Sequence, residues 1–140
     1  MGTVIVGVDG SETATEAAAV AARLAAAAGD NLVLVIAHAG TGEQHELGAG
    51  SDTWVMSDRQ VALDKARQVA KSIGQEGLEV SAVEVEGRPA QALLAEAQRH
   101  GADLIVVGNR RMQGVGRLLG SVANEVAHNA PCDVYIAKTT

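Results

Sequence analysis

Aromatic side chains are almost absent from this chain of 140 residues, which has one Trp, one Tyr and no Phe. A core has to be built from Val, Leu, Ile and Ala, which is typical of strands covered by helices on both faces. The same shortage removes the aromatic platforms on which single-stranded nucleic acids stack, and the formal net charge of -6 opposes a polyanion. We predict one globular domain over residues 1–140 that binds no nucleic acid.

Cysteine is equally scarce, and no segment has the pattern of an export or membrane signal. Cys132 is the only cysteine, so a disulfide or a cysteine zinc site within one chain is excluded. The first residues run straight into an apolar stretch without a basic region or a cleavage site, which predicts a cytoplasmic location. The Ala-rich run 17–28 contains Arg23 and is too short to span a bilayer, so no membrane contact is expected.

Apolar runs and helical patterns alternate along the chain. The apolar runs predict five strands, at 3–8, 32–37, 78–85, 104–107 and 133–137, and the patterns between them predict helices at 12–28, 58–73, 90–100 and 121–130. A strand, a helix and a strand within forty residues form a parallel crossover unit. The order predicts the α/β class, with a doubly wound parallel sheet covered by helices on both faces.

One stretch breaks this alternation. Residues 40–57 are rich in Gly, Ser, Thr and acidic residues, with Trp54 and Val55 at the far end. We interpret them as a flexible excursion within the single domain, because no apolar periodicity continues through them.

The segment after the fourth strand carries the strongest functional signal. Arg110, Arg111 and Arg117 fall within eight residues of an acidic chain, and the segment leads into a helix start at Gly120 and Ser121. The first N–H groups of a helix lack internal partners and carry about half a positive charge, so an anion is favoured there. Gly120 admits close backbone approach and Ser121 can cap the helix. The segment is predicted to hold a phosphate.

A second polar group is expected to face this segment. In doubly wound sheets the ligand lies beyond the carboxyl ends of the strands, where successive crossovers change direction. For the strand order 3-2-1-4-5 this point lies between the first strand, which ends at Asp9, and the fourth, which ends at Gly108. Asp9 can accept hydrogen bonds from ligand hydroxyls, or it can serve the start of the helix that Ser11 caps.

Several separated motifs together resemble the universal stress protein family over essentially the whole chain. The resemblance implies the 3-2-1-4-5 sheet, a homodimer formed through the last strand at Val134, Tyr135 and Ile136, and, in one branch, binding of an adenine nucleotide. The motifs that carry it are Val6–Ser11, Gly87–Pro89, Val106–Asn109, Gly120–Val122 and Ala130–Val134.

The resemblance also implies roles for single residues. Asp9 would contact the nucleoside, and the backbone at His38 and Ala39, where the second strand ends, would hold the adenine. The phosphates would be held by Gly108, Gly120, Ser121 and the amide of Val122.

The phosphate segment departs from the family pattern twice. The nucleotide-binding branch shows Gly, two residues, Gly, nine residues, Gly and then Ser or Thr. Here Arg111 stands at the second glycine, and only eleven residues separate Gly108 from Gly120 where the pattern has twelve. Arg111 can replace the lost amide contacts with a direct charge on the phosphate, or it can fill the site.

We therefore predict a regulatory protein of the stress response that binds ATP, AMP or cyclic AMP, with magnesium as a possible companion of the phosphates. The shortened segment favours AMP or cyclic AMP over ATP. The alternative is a dimeric interaction protein of the same family that no longer binds nucleotide. No catalytic residue is predicted. No metal site is predicted either, because His38, His45 and Glu46 match no metal-binding spacing. Slow ATP hydrolysis is the most catalysis expected.

Overall fold

Strands and helices alternate through the structure in nearly the order that the apolar pattern predicts. The computed structural model describes residues 2–38, 44–47, 54–109 and 120–139. Its elements, in chain order, are β1 (Thr3–Val8), α1 (Glu12–Ala28), β2 (Asn31–His38), β3 (Gln44–Leu47), β4 (Trp54–Ser57), α2 (Asp58–Ile73), β5 (Val80–Glu86), α3 (Pro89–His100), β6 (Leu104–Gly108), α4 (Ser121–Asn129) and β7 (Asp133–Ala137).

The long strands form one parallel sheet in the order β5-β2-β1-β6-β7. Counted among themselves, these five strands have the order 3-2-1-4-5, which confirms the prediction. β1 lies at the centre, where Ile5 pairs with Val33 of β2 and with Ile105 of β6. The direction of the crossovers therefore changes between β1 and β6, so the carboxyl ends of these two strands diverge into a crevice.

Each face of the sheet is covered by a pair of helices. Val4, Val6 and Val8 point to the face that α1 and α2 cover, whereas Ile5 belongs to the cluster on the face of α3 and α4. Successive side chains of a strand point to opposite faces, so a central strand covered on both sides has to be apolar throughout. None of the helices in the described parts of the chain combines the length and the apolar character that crossing a membrane requires.

The excursion at 40–57 contains regular structure that the sequence pattern did not predict. β3 and β4 pair antiparallel, with Gln44 opposite Ser57 and Leu47 opposite Trp54. The polar residues of β3 give no apolar periodicity, and only the β-forming residues of β4 carried a weak signal. A two-strand pair depends on main-chain hydrogen bonds, which no side-chain pattern reports.

The predicted N-cap residue is confirmed for α1 and is wrong for α4. The Ser11 hydroxyl caps α1 by accepting a hydrogen bond from Ala14 N at 3.2 Å, as expected. The prediction that Ser121 caps α4 is wrong, because Ser121 is already the first helical residue and Gly120 is the N-cap. Gly120 has extended dihedrals (φ −62°, ψ 158°) and no side chain to offer, so no side-chain cap closes this helix start.

Candidate functional site

A cavity of about 750 Å³ opens at the carboxyl-terminal edge of the sheet, where β1 and β6 diverge. Its walls come from the carboxyl-terminal parts of β1, β2 and β6, from the first two turns of α1 and α3, from the start of α4, and from one residue beyond β7. The described lining residues are Gly7, Val8, Asp9, Ser11, Thr13, Ala14, Ala17, Val35, Ala37, Pro89, Leu93, Val107, Gly108, Gly120, Ser121, Val122, Ala123 and Thr139.

Asp9 stands at the mouth of this cavity, directly after β1. Its Oδ1 accepts a hydrogen bond from Ser11 N at 2.8 Å, and the side chain is exposed to solvent. The carboxylate therefore takes part in the turn that leads into α1 and also borders the cavity. The two roles considered from the sequence are compatible, because the hydrogen bond to Ser11 fixes the carboxylate without burying it.

The start of α4 forms another wall. Gly120, Ser121, Val122 and Ala123 all line the cavity. Backbone N–H groups in the first turn of a helix have no partner within the helix, and the helix dipole adds partial positive charge at this end. With no side-chain cap on α4, this wall is suited to a negatively charged group.

The described residues that line the cavity include few charged groups. Asp9 is the one ionisable side chain among the lining residues that the structure describes. Arg110, Arg111 and Arg117 belong to residues 110–119, which lie outside the described residues, as does Ala39. In the described ranges, no group of three or more His, Cys, Asp or Glu side chains could hold a metal ion.

An apolar wall completes the cavity on the side of β2 and α3. Val35 and Ala37 come from β2, and Pro89 and Leu93 come from α3. A Cβ built on Gly7 would lie 3.2 Å from Leu93 Cδ1, so α3 packs closely on β1 at this point. Sequence reasoning did not assign these four residues to the site, because Val35, Ala37 and Leu93 fit an ordinary core pattern and Pro89 fits a helix start. The position of Pro89 at this helix start and of Ala37 near the end of β2 was the available signal.

His38 lies outside the described lining. Its Nε2 is 2.5 Å from Glu84 Oε2 on β5, and Arg59 Nε from α2 contacts Glu84 Oε1 at 2.7 Å. The His38 carbonyl accepts a hydrogen bond from Gly87 N at 2.9 Å. The side chain is thus engaged between β2, β5 and α2, while Asp9, Gly108, Gly120, Ser121 and Val122 share the cavity.

Thr139 is the lining residue least expected from the sequence pattern. It follows β7 by two residues, and Asn109 holds it over the end of β6. The Thr139 backbone N–H donates to Asn109 Oδ1 at 2.8 Å, and the Thr139 hydroxyl donates to the same oxygen at 3.2 Å. Only the pairing of β6 with β7 brings these distant residues together.

The sequence and the fold agree with one known family. The profile of the universal stress protein family matches residues 1–138. The chain belongs to the universal stress protein family. A family member from Thermus aquaticus, the universal stress protein encoded in the QAH/OAS sulfhydrylase 3′ region, is 36% identical over 137 residues, which are 97% of this chain and 98% of the relative.

Solved structures of universal stress proteins share the architecture. A crystal structure of a universal stress protein in complex with cAMP matches with a TM-score of 0.72 and 33% identity, covering 99% of this chain and 98% of that chain. The universal stress protein from Archaeoglobus fulgidus in complex with dAMP matches with a TM-score of 0.73 and 23% identity, covering 97% of each chain. At this lower identity the second match supports the fold alone.

Proposed function

We propose that this universal stress protein binds an adenine nucleotide, ATP, AMP or cyclic AMP, as a regulatory ligand of the stress response in the cytoplasm. The observation that carries the proposal is one cavity bordered by both the Asp9 carboxylate and the uncapped start of α4. A nucleotide joins hydroxyl donors and an anionic phosphate in one molecule. A carboxylate suits the first group and a helix start suits the second.

Each part of the nucleotide has proposed partners in the chain. Asp9 accepts hydrogen bonds from the ribose, and the backbone at His38 and Ala39 holds the adenine at the end of β2. The apolar wall that includes Val35 and Leu93 gives the base a surface to pack on. The phosphate end is held by Gly108, Arg111, Gly120, Ser121 and Val122.

Charge and loop length favour a small phosphate group. The described lining contributes a carboxylate and no basic side chain, so the counter-charge has to come from the helix start and from the arginines of segment 110–119. Cyclic AMP carries a single negative charge, a phosphate monoester such as AMP carries more, and ATP carries most. We expect cyclic AMP and AMP to bind more tightly than ATP. The cAMP complex of a universal stress protein with 33% identity supports the inclusion of cyclic AMP among the candidate ligands.

Isothermal titration with cyclic AMP, AMP and ATP tests the proposal, with ATP measured both with and without magnesium. Asp9→Asn removes the charge and should weaken binding about tenfold or more, since hydrogen bonds to charged groups contribute about 1.5–3 kcal/mol. Asp64→Asn is the matched control, because Asp64 is exposed on α2 and does not line the cavity. Equal affinities of the two variants would contradict the role of Asp9, and tightest binding of ATP would contradict the charge argument.

Two other outcomes would change the function assigned. If none of the three nucleotides binds, and none is released from the purified protein on denaturation in a mass spectrometer, the alternative of a ligand-free dimeric interaction protein takes its place. If ATP binds and phosphate is released in a magnesium-dependent way that Asp9→Ala abolishes, the protein is a slow ATPase.

A further inference from the structure

Asn109 fixes Thr139 at the wall of the cavity. Its Oδ1 accepts both the backbone N–H of Thr139, at 2.8 Å, and the hydroxyl of Thr139, at 3.2 Å. Thr139 is half-buried and lines the cavity together with Gly108. Two hydrogen bonds to one oxygen hold both the backbone and the side chain of Thr139, so its hydroxyl oxygen has a set position.

The glycine at position 108 makes room for this threonine. A Cβ built on Gly108 would lie 3.2 Å from Thr139 Oγ1, 3.6 Å from Thr139 Cγ2 and 3.8 Å from Ala17 Cβ. The first distance is tighter than ordinary contact. The backbone of Gly108 is not in the left-handed region, so its dihedral angles do not require glycine. The described neighbours give a steric reason instead, namely the Thr139 side chain.

We propose that Thr139 is a ligand-contacting residue of the cavity and that its hydroxyl oxygen accepts a hydrogen bond from a hydroxyl group of the ligand. This inference rests on the proposed nucleotide site. A hydroxyl has one proton to donate, and Thr139 donates it to Asn109 Oδ1. The oxygen then has only lone pairs to offer the cavity. Phosphate oxygens are acceptors as well, so the fitting ligand group is a donor such as a ribose hydroxyl.

Binding of AMP, 2′-deoxy-AMP and 3′-deoxy-AMP to the wild type, Thr139→Val and Thr139→Ser tests the contact by titration calorimetry. Valine keeps the shape of threonine without the hydroxyl, and serine keeps the hydroxyl. We expect Thr139→Val to weaken AMP binding about three- to tenfold, the range of a neutral hydrogen bond. The deoxy ligand that lacks the contacting hydroxyl should bind to the wild type and to Thr139→Val with equal affinity. This ligand therefore identifies the ribose hydroxyl that contacts Thr139. Thr139→Ser should bind like the wild type.

The outcomes separate this inference from the proposed function. The Thr139 contact is refuted, while the nucleotide site stands, if the wild type and Thr139→Val bind AMP equally well. It is also refuted if Thr139→Val weakens the binding of both deoxy ligands as much as it weakens the binding of AMP. If the wild type binds none of the three ligands, the proposed site and the contact are refuted together.

The steric relation between Gly108 and Thr139 has a test that needs no ligand. Gly108→Ala should lower the melting temperature by about 3–10 °C, as overpacking does in a domain of this size. In a Thr139→Ala background the same substitution should cost little, because the crowded side-chain atoms are gone. Gly7→Ala is the matched control, since its Cβ would meet Leu93 at the same 3.2 Å and should cost the same in both backgrounds. An equal cost of Gly108→Ala in both backgrounds would overturn the steric argument.

Discussion

Asp9 Oδ1 and Ser11 N are joined by a hydrogen bond of 2.8 Å, which links the residue at the mouth of the cavity to the cap of α1. Ser11 in turn accepts a hydrogen bond from Ala14 N through its hydroxyl. The carboxylate of Asp9 is therefore positioned by the backbone of the same residue whose side chain starts the helix. Helix stability and the geometry of the cavity depend on one short turn.

Ser11→Ala should lower the free energy of unfolding by about 1 kcal/mol, the usual cost of losing an N-cap side chain. The substitution keeps the Ser11 N–H that Asp9 accepts, so nucleotide affinity should change less than it does in Asp9→Asn. Urea denaturation measures the stability, and Ser81→Ala, at an exposed position of β5, is the control. A Ser11→Ala protein as stable as this control would show that the cap contributes nothing.

Comparing Ser121→Pro with Ser121→Ala should separate the contribution of the Ser121 backbone N–H to nucleotide binding from that of the Ser121 hydroxyl. Proline is tolerated at the first helical position, and the extended dihedrals of Gly120 suit a residue that precedes proline. The helix should therefore persist without the Ser121 N–H. If that N–H binds phosphate, Ser121→Pro should weaken nucleotide binding about tenfold relative to Ser121→Ala, the range of a hydrogen bond to a charged group. Calorimetry that finds the two variants equal would exclude this amide as a ligand contact.

Ile136→Lys should convert a homodimer formed through β7 into monomers. β7 is an edge strand of the sheet, and Tyr135 and Ile136 are 45% and 38% exposed, which are the large exposed hydrophobic side chains in the described residues. Exposed edges invite pairing with another chain. Ser81→Lys places the same charge on the opposite edge strand, β5, and should leave the assembly unchanged. Gel filtration in which Ile136→Lys elutes with the wild type would argue against this interface.

Ala21→Leu should destabilise the fold because the fully buried residues of α1 are all alanines. The buried residues of this helix are Ala17, Ala18, Ala21, Ala22 and Ala25, each at most 1% exposed. A leucine at position 21 has no space and should cost about 1–3 kcal/mol. Ala27→Leu, on the exposed side of the same helix, should cost little. Thermal unfolding of both variants measures the difference, and equal midpoints would mean that α1 can move away from the sheet.

The fold was largely predictable because its elements carry strong local signals. The runs of β1, β2 and β6 are apolar on both faces, and this pattern specifies strands buried between two layers of helices. The β3 and β4 pair was not predicted, because its order depends on main-chain hydrogen bonds. The cap of α4 was assigned one residue too late, since serine and glycine both occur at helix starts and only the backbone geometry distinguishes them.

The sequence by itself determined the parallel sheet, its helical layers and the position of Asp9 and Gly108 at strand ends, because period and composition act locally along the chain. Only the tertiary structure decided which distant residues share the cavity. The apolar wall of α3 and the contact of Thr139 with Asn109 and Gly108 arise from strand pairing across the sheet. No local pattern records such contacts, since they join segments whose separation along the chain leaves no periodic trace.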